Sequence, residues 1–227
     1  MKARGDLIWD LPTRLFHWTL LLLVVAQYAS GRFGWFDLQW HFYAGYATLT
    51  LLLFRIAWGF VGSDSARFVR FVRGPRAVVA YLRGARNAGA THNPAGGWSV
   101  VLMLLLLLAM SLTGLATSDD IDAFGPLAAR LHDLSIRFAS HWHRRLGDVL
   151  PWLILLHVLA VLWQERRGKR LIGAMLHGRG QIMTNAPRIV SNARAMFVLL
   201  LSAGAVYAVP GASGQIGGIG VADGQRA

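Results

Sequence analysis

The sequence predicts an all-α integral membrane protein with a four-helix core and a fifth transmembrane helix near the C-terminus. Three observations carry that prediction. Of 227 residues, 55% are hydrophobic with Gly left out of the count, where soluble domains average about 45–50% with Gly included. The apolar residues gather into runs near the ~20 residues that cross a bilayer. Lys and Arg collect in alternate connections between those runs, the bias that orients a multi-pass chain.

The first run, Leu15–Ala29, is interrupted by His17, Thr19 and Gln27. Lys2 and Arg4 ahead of it suggest a signal peptide, but the Pro12-containing segment between them and the further runs that follow favour a first span. Gly31 and Gly34 mark a short connection to Leu38–Gly62, which contains Gln39, His41, Thr48, Thr50 and Arg55. Trp98–Thr117 has no charge at all and is the clearest span. His143–Trp163 is the fourth run, and Ala195–Val209 a shorter fifth. These divide the chain into a core over residues 1–164, a basic linker over 165–194, a fifth helix over 195–211 and a Gly-rich flexible tail over 212–227.

The formal net charge is +12, and its distribution argues against a nucleic-acid footprint. Residues 63–97 hold six Arg against Asp64, and residues 164–194 hold seven Lys or Arg against Glu165. Residues 118–140 instead carry Asp119, Asp120, Asp122 and Asp133 against Arg130 and Arg137. The N-terminus and both basic connections are therefore expected on the cytoplasmic side. Arg144 and Arg145, at the outer start of the fourth run, depart mildly from that bias. Within the first basic connection, Pro75–Arg83 reads as a helix with Pro at its start and an apolar face for the anionic inner leaflet.

Histidines punctuate the spans. His143 and His157 are fourteen residues apart, which on a helix puts them within about 40° of each other and ~21 Å apart along the axis. The orientation set by Lys and Arg places His17 and His157 in the inner half of the membrane and His41 and His143 in the outer half. Two pairs at two depths result. A lone imidazole satisfied by a neighbouring helix is the plainer reading of His157, but ionisable groups in a span point to function.

A pair of facing imidazoles suits haem iron, which needs only two axial ligands, better than zinc, which takes four. Helix bundles place such cofactors between facing helices. The chain has no Cys, so covalent attachment through CxxCH is excluded. Gly45 and Gly147 each follow an outer histidine by four residues, leaving room for a flat macrocycle or, equally, for close helix packing. Arg55, fourteen residues after His41, suits an acidic partner such as a haem propionate, with pairing to a backbone carbonyl or snorkelling as the alternatives. His92, ahead of the third run, is read as a helix-entrance residue or as a contact for quinone or propionate. His141 falls about 160° from His157 on the fourth helix and is a poor substitute for His143. No Ser/His/Asp arrangement, P-loop or dinucleotide fingerprint appears.

TRLFHW in the first span, His41-x-x-x-Gly45 followed by Arg55, and His143 with His157 resemble the bacterial cytochrome b561-type dihaem membrane cytochromes, which include hydrogenase cytochrome b subunits. The resemblance covers about residues 8–180. It implies a four-helix core holding two b-type haems (haem b, two per chain), with His17, His41, His143 and His157 as axial ligands. It also implies electron transfer between quinone and an external redox partner, such as a soluble c-type cytochrome or an enzyme subunit, in the bacterial inner membrane. The fourth helix departs from the pattern at Arg144, where Glu is frequent, and Pro151 between its histidines invites a kink. A superoxide-oxidising quinone reductase is a second reading. A haem-free transporter or scaffold is a third.

Overall fold

The computed structural model describes residues 6–84, 92–118, 124–180 and 187–209. Asp119, Asp120 and Asp122 of the acidic connection and the tail over 212–227 lie outside the described residues. Among the described residues the chain forms eight α-helices and one short β-ladder. Helix α1 spans Leu11–Phe33 and α2 spans Leu38–Val61. The short α3 (Phe68–Phe71) and α4 (Pro75–Leu82) follow, then α5 (Pro94–Gly114). Helix α6 covers Asp133–Arg166, α7 Leu171–His177 and α8 Asn192–Tyr207.

Local chemistry sets the ends. Asp10 caps α1 by accepting from Thr13 N at 2.9 Å, with Pro12 in the first turn. Gly34, at φ +63°, supplies the left-handed residue that ends α1. Asn93 caps α5 through Gly96 N at 2.7 Å. Pro151 lies inside α6, yet the helix runs unbroken over 34 residues. At 1.5 Å per residue α6 is ~51 Å long, well beyond a ~30 Å hydrocarbon core.

Helices α2, α5 and α6 are long and apolar enough to cross a membrane. Helix α1 matches them in length, but His17, Gln27 and Ser30 dilute its apolar run. Helix α8, at 16 residues, is shorter than the other four and packs along α2. The core lies where α2, α5 and α8 meet, with Leu52 and Trp58 fully enclosed against Leu104, Leu107 and Val198. Thr48 of α2 donates to Gln27 Oε1 of α1 at 2.7 Å, an interhelical bond of the kind worth about 1 kcal/mol in a membrane.

The basic segments converge on one end of the bundle, here called the basic end. Antiparallel strands β1 (Asp6–Leu7) and β2 (Arg179–Gly180) join the start of the chain to the segment after α6. Arg14 Nη1 donates to Leu176 O at 2.7 Å, and Val190 N to Ser63 Oγ at 3.0 Å. Asn93 Nδ2 donates to Gln164 Oε1 at 2.9 Å, tying the start of α5 to the end of α6. The stretch 165–194 is thus partly folded against the bundle through α7 and β2.

The hairpins α1–α2 and α5–α6 are each packed internally, and α2 and α5 join them. Helix α6 stands off from both α1 and α2. The candidate site lies across that separation.

Candidate haem-binding site

Each pair of histidines spans the space between α6 and the first hairpin. The His17 ring on α1 and the His157 ring on α6 have centroids 6.5 Å apart, with planes inclined at 46°. The His41 ring on α2 and the His143 ring on α6 lie 6.2 Å apart, inclined at 79°. Each separation is of the size at which two imidazole nitrogens could share one metal ion with ~2 Å bonds. The fourteen-residue interval in α6 puts the pairs ~21 Å apart along one helix. His141 is exposed and its ring lies edge-on to Trp142.

At the end opposite the basic segments, the far end, both ring orientations are fixed by neighbouring helices. His41 Nδ1 lies 3.1 Å from Gln27 O and 3.0 Å from Ser30 Oγ. His143 Nδ1 lies 2.9 Å from Met110 O. A carbonyl only accepts, so the hydrogen-bond network assigns the proton to Nδ1 in both rings. Each Nε2 is left with a free lone pair, the state a metal ligand requires.

The pair at the basic end is held differently. Among the described residues, buried His17 Nδ1 has no hydrogen-bond partner and His157 makes no hydrogen bond. Polar groups cluster nearby instead. Asp10, fully buried, accepts from Trp58 Nε1 at 2.8 Å as well as from Thr13 N. Arg55 is 3% exposed, its guanidinium lies 5.1 Å from the Phe68 ring centre, and its Nη1 has no hydrogen-bond partner among the described residues. A buried guanidinium nitrogen with nothing to donate to is costly. It fits the carboxylate that a haem would bring.

His92 packs between Trp9 at 5.1 Å and Phe71 at 4.5 Å, while Asn93, not His92, caps α5. Burial, then the nearby Arg55 charge and then His157, push its imidazole down to about 3, so it is neutral at physiological pH.

Neither Gly45 nor Gly147 is a close helix contact. A Cβ at Gly45 would meet only Gln27 Nε2 at 3.6 Å, and one at Gly147 only the Met110 methyl at 3.9 Å. A Cβ at either would make only ordinary contact, one turn from a far-end histidine. Sequence reasoning missed Asp10, Gln27, Ser30, Gly31, Thr113 and Gly114. A hydroxyl–glycine step closing the first and third apolar runs, Ser30-Gly31 and Thr113-Gly114, was the available signal.

Two pairs of facing imidazoles across a gap between helices are an arrangement in keeping with membrane cytochromes, which hold haem between helices. Residues 8–178 match the family described as prokaryotic cytochrome b561, and the chain belongs to that family. It is a multi-pass membrane protein of the b-type, haem-binding cytochromes, whose work is transmembrane electron transfer. No curated protein matches the chain.

Proposed function

We propose that this protein holds two b-type haems and carries electrons across the bacterial inner membrane between the quinone pool and a redox protein at the far face. A c-type cytochrome or an enzyme subunit suits that partner. The N-terminus and the basic end then face the cytoplasm, in keeping with the Lys and Arg bias. The observation that carries the reading is the pair of ring separations, 6.5 and 6.2 Å, across helices that stand apart.

His17 with His157, and His41 with His143, would each supply two imidazole ligands to a haem iron, a ligand set that favours electron transfer over oxygen chemistry. When bound, a haem supplies a one-electron ferric–ferrous couple. Helix α6 contributes one ligand to each site, so a single rigid element fixes their separation. Arg55 offers a charge-assisted donor at the basic end. Gly45 and Gly147 keep side chains out of the space beside the far-end pair.

The test is the purified protein in mild detergent. Two haems per chain by pyridine haemochrome assay, a b-type α-band on reduction and low-spin spectra in both redox states are expected. One haem per chain, or a high-spin signal from intact protein, overturns the two-pair assignment. A colourless protein would favour the transporter or scaffold.

A further inference from the structure

The far-end histidines sit in two copies of one device. On α1, Gln27, Ser30 and Gly31 face His41 of α2; on α5, Met110, Thr113 and Gly114 face His143 of α6. The spacing is the same in both: a carbonyl at one position, a hydroxyl three residues on and a glycine four residues on. The carbonyls lie 3.1 and 2.9 Å from Nδ1, and the hydroxyl oxygens 3.0 and 3.5 Å. Each hydroxyl donates to its own helix, Ser30 to Gln27 O at 3.0 Å and Thr113 to Ala109 O at 2.7 Å. Its lone pairs therefore face the ring as an acceptor and reinforce the Nδ1–H form. A Cβ on either glycine would meet the histidine Cε1 at 3.1 Å, closer than ordinary contact, so a larger residue there would push the ring away from its seat by a few tenths of an ångström.

The repeat extends to the ligand-bearing helices. His41 and His143 are both followed by Gly at the fourth residue, and the fourteenth residue is Arg55 in α2 but His157 in α6. The hairpins thus match at the far end and diverge at the basic end. No comparable cradle faces His17, whose Nδ1 has no partner.

We propose that Ser30-Gly31 and Thr113-Gly114 are paired positioning cradles for the far-end ligands and make that site the lower-potential one of the two. The inference rests on the two-haem reading. An imidazole that donates Nδ1–H to fixed oxygens is a more basic ligand and stabilises ferric iron, whereas one without that bond does so less. The cradle residues act through His41 and His143 and need not touch the cofactor.

The test uses the full-length protein with redox titration and low-temperature EPR, the far-end component being the one lost in His41→Ala. Ser30→Ala and Thr113→Ala should each raise the far-end potential and leave the basic-end component in place. Gly31→Ala and Gly114→Ala should change the far-end EPR g-values, which report ring orientation. Ser30→Thr and Thr113→Ser should restore wild-type behaviour, since either residue supplies the hydroxyl. Gly204→Ala, on α8 with nothing within 4 Å of the added carbon, is the control. If the glycine variants fail to assemble, the hydroxyl variants alone decide. Two retained haems with an unmoved far-end component, or equal shifts in both components, overturn the cradles. A haem-free wild type overturns the two-haem reading beneath them as well.

Discussion

The two histidine pairs have nearly equal separations and different surroundings. At the far end, His41 and His143 each lie against a backbone carbonyl and a glycine of the neighbouring helix, so geometry is enforced by main chain. At the basic end, His17 and His157 lack those bonds among the described residues, and the nearby features are charged or titratable: Asp10, Arg55 and His92. The far end has the build of a rigid ligand clamp. The basic end has the build of a site tuned by charge. If each pair holds a haem as proposed, the two sites would share a ligand set yet differ in potential, because bonds to the ligands and local charge are separate levers.

The largest test of this comparison removes ligands. His41→Ala or His143→Ala should lower haem from two to one per chain and delete the far-end component in redox titration. His17→Ala or His157→Ala should delete the other component, and His141→Ala should keep both. If His41→Ala and His157→Ala removed the same haem, the division into two ends would fall.

A smaller effect should isolate the charge lever. Arg55→Met removes a buried cation from the basic end only, so the basic-end potential should fall by an amount on the order of 1 kcal/mol, while the far-end potential holds. Redox titration reads both. A shift confined to the far-end component would reverse the assignment of Arg55.

The smallest effect is a pH slope. His92 has a folded pKa near 3 against an ordinary value of 6.5, so between those values the unfolded chain binds the extra proton. Its contribution to stability is complete above about pH 6.5 and declines as pH falls toward 3, by less than about 1 kcal/mol per pH unit after allowing for partial exposure. Thermal denaturation of wild type and His92→Phe across pH 4.5–7.5 measures it. The variant should lose part of the acid sensitivity, and identical slopes would show that His92 is not the group responsible.

Much of this arrangement was legible from spacing and charge. The fourteen-residue interval between His143 and His157 reads directly as two imidazoles on one helix face. Arg and Lys in alternate connections group the N-terminus with both basic segments, and those segments meet in the β1–β2 ladder and at Ser63–Val190. The length of α6 was less legible, because its first ten residues mix apolar with charged and polar side chains and carry no continuous spanning signal. Asp10 was missed for a different reason. As a helix cap it is ordinary, and its second bond goes to Trp58, 48 residues away.

By itself, then, the sequence determined the helical membrane class, the sidedness expected of its segments and which histidines share a helix face, since each follows from composition or a local period. Only the tertiary structure decided that α6 stands off from α1 and α2, that Gln27 and Met110 offer carbonyls to His41 and His143, and that Arg55 is buried with a nitrogen unmet. The reason is physical. Helix faces are set by residues three and four apart, whereas gaps, cradles and orphaned charges arise between helices whose relative placement no local pattern encodes.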